Sequence, residues 1–545
     1  MRAFVIAASF LGAVVALAAD TYPRQAGVDA QHYAFKLTLL TTDSNEITGE
    51  ATVRLRIVSP ETREALLDFA TPLPEGMGMT VTAVTRNGTS VPFTHTNNHL
   101  RLPVDGVRAG EDATFTIAYH GIPANGLRLL NNIHGDRCAF SENWYNQARQ
   151  WLPVIDHIAD KATGEFIITT RSDYQVVGNG ALVEEADLPG GLRRTHWKQE
   201  EPIAPWLYAL GVARFVVHHG PVVRGVPLSF WTFPQDAERG LPKLEKDARG
   251  AFEFFSDRVG PYAYDKLAHV QAAGMGGGME STTNIFYGEK NVNAGSVPVV
   301  HETAHQWFGN SVTESYWNDV WLSEGFATYF TLLYTEYASG REAFVDGLRR
   351  SRDNVLRAEK AQPNTPVVHA DFDESGRAGP NTQLAYQKGG WTLHMLRDRI
   401  GTDAFWRGIR AYYREHMNGL ATTDDLRRAM EAESGQDLTS FFRQWLTRSG
   451  VPAIEGTWRY DAAAKRVVIT VRQTQTGDPY EFPLDVGVTP ASGTTRVVRV
   501  QVKGRELTAS IPADAEPASM TLDPNVWLLA DFGSFSRQVN GGDDD

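Results

Sequence analysis

The chain has 545 residues, a formal net charge of −13 and one cysteine. It is too long for one compact domain, and its hydrophobic and aromatic fractions are those of an ordinary globular protein. The negative charge leaves no basic stripe to neutralise phosphates, so we expect no nucleic-acid partner. The single cysteine, Cys138, excludes an intramolecular disulfide and fits a small buried hydrophobe better than a nucleophile.

Residues 1–19 have the pattern of a secretory signal peptide. Arg2 gives a positive start, residues 3–17 are nearly all apolar, and Ala16-Leu17-Ala18 supplies a small-x-small cleavage pattern. The apolar run is short for a membrane span, and no other stretch is long and apolar enough to cross a bilayer. We therefore expect an exported protein, periplasmic or extracellular, with no stable membrane insertion after cleavage.

Short alternating strands fill the first part of the chain, residues 20–216. The segments 32–39, 51–58 and 113–119 alternate apolar with polar residues, and turn signals such as Asn87-Gly88 separate the strands. This pattern predicts an N-terminal all-β domain that is sandwich-like or saddle-shaped.

Helical patterns dominate the next part, residues 217–450, and strands return after a Gly-Val-Pro break. The predicted helices cover 241–259, 299–308, 320–334, 340–362, 386–400, 403–417 and 423–434. Residues 451–537 predict a small C-terminal β domain, and the Gly- and Asp-rich residues 538–545 predict a disordered tail. The sequence therefore predicts a multidomain α+β protein.

The segment with the clearest chemistry contains an H-E-x-x-H pattern, formed by His301, Glu302 and His305. Four residues advance about 400° on a helix, so the two imidazoles lie about 40° apart on one face and can bind one metal ion. Glu302 can then face a water molecule on that metal.

A catalytic zinc site needs a third protein ligand and one open position. Glu324, 19 residues after His305, is the candidate, because it lies near the start of a second helical segment. The longer H-E-x-x-H-x-x-G-x-x-H pattern is excluded, because Phe308 and Ser311 stand where its glycine and third histidine would be. An isolated H-E-x-x-H is often a chance match. A glutamate at this distance favours a zinc site, with one Zn²⁺ per chain.

Four segments of this chain resemble one known family. They are residues 301–310 and 317–327, similar to a zinc signature with H-E-x-x-H-x18-E; residues 276–281, similar to a G-x-M-E-N exopeptidase motif; and residues 386–389, similar to a Y-x-K-G segment. The family is that of the zinc aminopeptidases related to aminopeptidase N and leukotriene hydrolase, the gluzincins. The resemblance covers about residues 25–530 and is most specific over 260–450. It implies that residues 217–450 form a thermolysin-like, mainly helical zinc catalytic domain.

The resemblance implies catalytic roles for five residues. His301, His305 and Glu324 would bind zinc. Glu302 would act as general base, taking a proton from the attacking water and passing it to the leaving amine. Tyr386 would donate a hydrogen bond to the scissile carbonyl oxygen as negative charge develops there.

The resemblance also implies a substrate-binding edge. Glu280 would bind the free α-ammonium group that an aminopeptidase must recognise. Gly277, Gly278 and Met279 would lie against the substrate backbone, with no side chain between at the glycines.

Two positions depart from the family pattern. Ser281 replaces the asparagine of G-x-M-E-N. Trp144 stands where the family's first domain usually supplies a glutamine or glutamate, and an indole cannot accept a hydrogen bond from an ammonium group. The open alternatives for that second amine ligand are Glu142, Asn143 and Gln147.

The leading hypothesis is a secreted zinc-dependent aminopeptidase that hydrolyses the N-terminal peptide bond of peptides with free N-termini. One alternative is an epoxide hydrolase of the leukotriene hydrolase type, which would use the same metal. Another is a catalytically silent peptide-binding protein, although neither a ligand nor the base is missing from this sequence.

Overall fold

The structure is a computed structural model that describes residues 24–369 and 383–538. The predicted signal peptide lies outside the described residues, as do residues 539–545 of the predicted tail. Within the described ranges, no helix is both long and apolar enough to cross a membrane.

The first domain is all β, as predicted. In the strand Ile47–Ile57 every second side chain is buried, which is what the alternating sequence requires of a sheet with one packed face. The strands are β1 Val28–Thr38, β2 Ile47–Ile57, β3 Glu64–Asp68, β4 Gly78–Arg86, β5 Thr89–Ser90, β6 Thr94–Thr96, β7 His99–Pro103, β8 Asp112–Ile122, β9 Leu127–Asn131, β10 Arg137–Ser141, β11 Ala162–Arg171, β12 Gln175–Gly178, β13 Ala181–Leu188, β14 Leu192–Ile203 and β15 Leu210–Ala213. They form an eight-stranded sheet in the order β13-β14-β11-β1-β2-β8-β4-β5, a four-stranded sheet β12-β15-β10-β9 and a three-stranded sheet β3-β7-β6.

The second domain sets a five-stranded mixed sheet beside a group of helices. Its strands are β16 Val216–Val223, β17 Val226–Thr232, β18 Leu267–Ala272, β19 Gly278–Met279, β20 Asn284–Gly288, β21 Thr313–Glu314 and β22 Leu420–Ala421. Its helices are α1 Ala237–Glu245, α2 Ala248–Arg258, α3 Glu289–Ala294, α4 Val299–His305, α5 Trp321–Ala361, α6 Gly389–Ile400, α7 Thr402–His416, α8 Thr423–Ser434 and α9 Thr439–Leu446, with a π-helical turn Leu384–Lys388 before α6. The sheet order is β16-β17-β18-β20-β19, so the very short β19 lies at an edge.

One predicted helix is divided in the structure, and another predicted helix boundary is present. Residues 241–259 form parts of two helices rather than one, because the chain breaks at Lys246 and Asp247, where Asp247 has a φ of 64°. Residues 320–334 and 340–362, predicted as separate helices, lie in the two arms of α5, which a non-helical break at Gly340, with φ 88° and ψ 175°, separates as predicted. Glycine adopts that backbone conformation without the steric penalty of a side chain.

A buried lysine joins the first domain to the second. Lys161 Nζ donates hydrogen bonds of 2.8–3.1 Å to the carbonyl oxygens of Asn310, Ser311 and Gly419. Burial lowers the pKa of this lysine to about 7. The bonds hold the segment that follows α4, and so fix the end of that helix from outside its own domain.

The C-terminal residues form the predicted small β domain. Its strands are β23 Ala453–Asp461, β24 Arg466–Gln473, β25 Phe482–Thr489, β26 Arg496–Val502, β27 Glu506–Pro512, β28 Ser519–Leu522 and β29 Asp531–Arg537. They form two sheets, β27-β24-β23-β29 and β26-β25-β28. The domain limits placed at 216/217 and 450/451 stay predictions.

A buried ion pair ties α5 and the π-helical turn to the segment that leads into this last domain. Lys388 Nζ lies 2.7 Å from Glu359 Oε1 and donates to the carbonyl oxygens of Arg448 and Gly450. The other oxygen of Glu359 accepts from the Gly450 backbone N–H at 2.8 Å. Every donor and acceptor of the pair is thereby used, which is the condition under which buried charges are tolerated.

We predict that Lys388→Met lowers the free energy of unfolding by about 3–5 kcal/mol, because Glu359 would be left charged, buried and without its cation. Chemical denaturation measures the change. Lys360→Met, at an exposed position of α5, serves as the control and should alter stability by less than about 0.5 kcal/mol. Equal effects of the two variants would contradict the importance of the buried pair.

Candidate metal centre

The short helix α4 brings two histidines together. It begins directly after Pro298 and ends at His305, the second histidine of the motif. The Nε2 atoms of His301 and His305 lie 3.1 Å apart, with the imidazole planes at 81°. The helical spacing therefore aims both nitrogens at one point, as the sequence predicted.

The first turn of α5 supplies the third group. Oε2 of Glu324 lies 3.4 Å from His301 Nε2 and 3.3 Å from His305 Nε2. Four ligands in a tetrahedron around zinc, at 2.0–2.2 Å from the ion, are about 3.3 Å apart. The spacing of these three atoms therefore fits zinc.

The unsatisfied groups at this point also fit a cation. Glu324 Oε2 is buried and has no hydrogen-bond partner among the described residues. Burial alone would raise the pKa of Glu324, but the two adjacent histidines outweigh it and lower the pKa to about 2. The group is therefore an anion facing two imidazole nitrogens, which is the donor set of a zinc site.

A second layer of contacts orients one of the histidines. His305 Nδ1 lies 3.0 Å from Ser323 Oγ and 3.2 Å from the carbonyl oxygen of Phe308. An imidazole that donates its Nδ1 proton to such an oxygen keeps the Nε2 lone pair free for a metal.

Glu302 lies beside this cluster and faces the cleft described below. Its carboxylate packs against β19, so close that a Cβ added to Gly278 would lie 2.4 Å from Oε1. Burial, followed by repulsion from the Glu280 carboxylate, raises the pKa of Glu302 well above its usual range. Gly278, which was predicted to lie against the substrate, thus also leaves space for the side chain of Glu302, the predicted base.

Glu280 follows β19 and is held by its backbone. Its carbonyl oxygen accepts hydrogen bonds from Gln306 Nε2 at 2.9 Å and Asn310 Nδ2 at 2.6 Å. Its side-chain Oε1 is buried, has no hydrogen-bond partner among the described residues, and lies 4.0 Å from His305 Nε2. Burial raises the pKa of this carboxyl to about 7. The structure therefore aims an unsatisfied carboxylate at the metal centre.

Tyr386, in the π-helical turn, packs against the metal cluster. Its ring stacks on His301 with centroids 5.8 Å apart and planes at 5°. Its hydroxyl donates a hydrogen bond of 2.6 Å to Glu324 Oε1. The predicted phenol donor is thus in direct contact with two residues of the predicted metal set.

A cleft of about 580 Å³ opens onto these groups. Every site residue predicted from the sequence lines it except Met279, whose side chain is buried in the core. The sequence did not indicate that further residues from both arms of α5, and the residue after Tyr386, line this cleft. The additional lining residues are Gly276, Pro298, Thr328, Thr331, Leu332, Gly347, Arg350, Ser351, Asn354 and Gln387.

Trp144, at the position where an amine ligand was expected, belongs to an aromatic cluster. Its ring meets those of Trp206 and Trp317 edge-on, with centroids 5.1 and 4.9 Å apart. Among the three open alternatives, Asn143 is occupied, since its amide donates to the carbonyl oxygen of Tyr208 and its oxygen accepts from Trp151 Nε1.

The other two alternatives also have contacts away from the metal centre. Glu142 lies 2.7 Å from the guanidinium of Arg128, and Gln147 donates a long hydrogen bond to the carbonyl oxygen of Tyr145. Neither residue is among those that line the cleft.

Comparison with known proteins agrees with the fold and with the metal cluster. The model of the peptidase family M1 domain matches residues 243–445, and that of the peptidase M1 N-terminal domain matches residues 29–207. The chain belongs to peptidase family M1, a family of zinc metallopeptidases.

Curated relatives carry aminopeptidase names. Glutamyl aminopeptidase of Bitis rhinoceros is 27% identical over 323 residues, which are 56% of this chain and 34% of that protein. Aminopeptidase N of Streptomyces lividans is 25% identical over 547 residues, which are 90% of this chain and 61% of that protein. This chain spans between about a third and three fifths of the length of these two relatives.

Solved structures share the fold. A variant of a two-domain M1 zinc metallopeptidase bound to L-tryptophan has a TM-score of 0.67 and 23% identity, over 79% of this chain and 96% of that chain. A variant of an M1 zinc metallopeptidase from Deinococcus radiodurans has a TM-score of 0.65 and also 23% identity, with the same coverage.

We predict that Glu324→Gln lowers zinc affinity by more than about a hundredfold and Ser323→Ala by about tenfold, because the first removes a ligand and the second a partner of His305. Competition with a chromogenic zinc chelator measures both. Glu342→Gln, at an exposed position of α5, is the control and should match the wild type. Wild-type affinity in Glu324→Gln would remove this residue from the ligand set.

Proposed function

We propose that this protein is an exported zinc-dependent aminopeptidase that hydrolyses the N-terminal peptide bond of peptides. The observation that carries the proposal is the buried Oε1 of Glu280, which has no hydrogen-bond partner in the described part of the chain. It lies 4.0 Å from His305 Nε2, at the edge of a cleft that contains the His301–His305–Glu324 cluster. The aminopeptidase names of the M1 relatives support the same activity.

The position of Glu280 favours exopeptidase over endopeptidase action. A buried carboxylate oxygen without a donor is costly unless a ligand satisfies it. An α-ammonium group has positive charge and hydrogen-bond donors, and it lies only a few bonds from the first peptide carbonyl. Glu280 would therefore fix the free N-terminus so that only the first peptide bond reaches the metal centre.

The residues present fit one zinc ion per chain, held by His301, His305 and Glu324. When bound, zinc supplies Lewis-acid chemistry, activating water and polarising a carbonyl group. Glu302, buried next to this cluster, takes a proton from the attacking water and delivers it to the leaving amine. Tyr386 places a phenol donor beside the same cluster, where it stabilises the oxygen on which negative charge develops.

The proposal of export rests on the N-terminal sequence. A positive start, an apolar run and a small-x-small pattern are the features of a signal peptide. A secreted or periplasmic location places the enzyme among extracellular peptides, its proposed substrates.

We predict that peptides with a free N-terminus are cleaved at least about a hundredfold faster, in kcat/KM, than the same peptides with an acetylated N-terminus, because acetylation removes the charge that Glu280 binds. Mass spectrometry of the products also reports the position of cleavage. Equal rates, or internal cleavage of the acetylated peptide, would contradict an aminopeptidase.

We predict that Glu302→Gln lowers kcat by about 10²–10⁴-fold and leaves the zinc content at the wild-type level, because a carboxamide cannot accept the proton but occupies the same volume. Steady-state kinetics with an aminoacyl p-nitroanilide and metal analysis of the same sample measure the two quantities. Near-wild-type turnover in this variant would show that another group acts as the base.

A further inference from the structure

We propose that Arg350 binds a substrate carboxylate on the C-terminal side of the cleaved bond, which makes short or acidic peptides the favoured substrates. This inference rests on the proposed aminopeptidase function. Arg350 lines the same cleft as the metal cluster and Glu280, and it is the only arginine or lysine among the described residues that do so.

The bend at Gly340 brings Arg350 to the cleft. Leu332, eight residues before the bend, contacts Gly347, seven residues after it, since a Cβ on Gly347 would lie 2.5 Å from a methyl carbon of Leu332. Positions so far from the bend meet only if the two arms of α5 fold back on each other. The second arm therefore lies alongside the first arm, which carries Glu324.

The guanidinium of Arg350 faces the cleft. It is exposed, and no hydrogen bond or ion pair engages it among the described residues. Its neighbours on the same arm are satisfied, since Arg349 pairs with Asp346 at 3.0 Å and Arg357 donates to Asn354. An arginine that faces a cleft with its donors unused is suited to a planar anion such as a carboxylate.

The direction of the cleft places Arg350 beyond the cleaved bond. Glu280, Gly278 of β19 and the two glycines before that strand line the cleft beside the metal cluster. On α5, the lining continues from Glu324 through Thr328 and Thr331 towards the bend. A peptide with its ammonium group at Glu280 and its first carbonyl at the metal cluster would continue along this helix, with its C-terminal part towards Arg350.

The spacing suits a carboxylate one or two residues beyond the cleaved bond. Because Leu332 lies opposite Gly347, position 350 lies opposite about position 329, five residues from Glu324. At 1.5 Å per residue this is about 7.5 Å along the helix axis. An extended peptide advances about 3.5 Å per residue, so the second residue after the bond spans that distance.

The test compares Arg350→Gln with the wild-type full chain on matched peptides. Ala-Ala-Ala offers a terminal carboxylate, Ala-Asp-amide offers a side-chain carboxylate, and Ala-Ala-amide offers neither. We expect kcat/KM to fall about tenfold in the variant for at least one of the first two peptides and to stay within twofold for Ala-Ala-amide. The peptide that responds identifies the source of the carboxylate.

Two further variants separate charge from structure. Arg349→Gln, beside the cleft and paired with Asp346, should match the wild type on all three peptides. Arg350→Lys should keep part of the preference, because a point charge remains but the bidentate fork is lost.

The outcomes distinguish this inference from the proposed function. If the wild type cleaves all three peptides and Arg350→Gln changes none of the rates relative to the others, the carboxylate site is refuted and the aminopeptidase stands. A fourth peptide, Glu-Ala-amide, carries its carboxylate on the first residue. If only this peptide responds to Arg350→Gln, the assignment to the C-terminal side is refuted. A wild-type enzyme that cleaves none of these peptides overturns both.

Discussion

Three atoms from two helices, the Nε2 atoms of His301 and His305 and one carboxylate oxygen of Glu324, lie 3.1–3.4 Å from one another. Glu324 Oε2 is buried and has no hydrogen-bond partner among the described residues, so a cation bound between these three atoms would satisfy it. Tyr386, Glu302 and Glu280 are all defined by their position relative to this cluster. The packing of α4 and the residues just after it against the first arm of α5 keeps the cluster in place. Part of that packing is aromatic, with Phe308 in contact with the rings of Phe326 and Phe330.

The metal cluster could be predicted from the sequence because its geometry is mostly local. The spacing of His301 and His305 fixes their common face as soon as the segment is helical. The prediction that Glu324 is a ligand needed one additional assumption, that a second helix packs against the first. The 19-residue separation from His305 is long enough to allow this. The site thus followed from helix periodicity and from the donor chemistry of three side chains.

The shape of the cleft could not be predicted, because it depends on contacts between residues distant in the chain. The sequence predicts a helix boundary at Gly340, but not that the non-helical backbone there folds the two arms of α5 together. No local pattern indicates that Leu332 packs on Gly347, and so none indicates that Arg350 faces the cleft. Likewise, the aromatic cluster that contains Trp144 combines residues from two domains.

The contacts of Lys161 bear on how the second domain folds during synthesis. This first-domain residue donates to three carbonyl oxygens of the second domain. Two of them lie just after α4, and the third belongs to Gly419. During synthesis, the N-terminal domain emerges first and is complete before residue 310 leaves the ribosome. It then offers a preformed cation for backbone groups that would otherwise be buried without donors. The first domain would in this way serve as a template on which the later helices acquire their final arrangement.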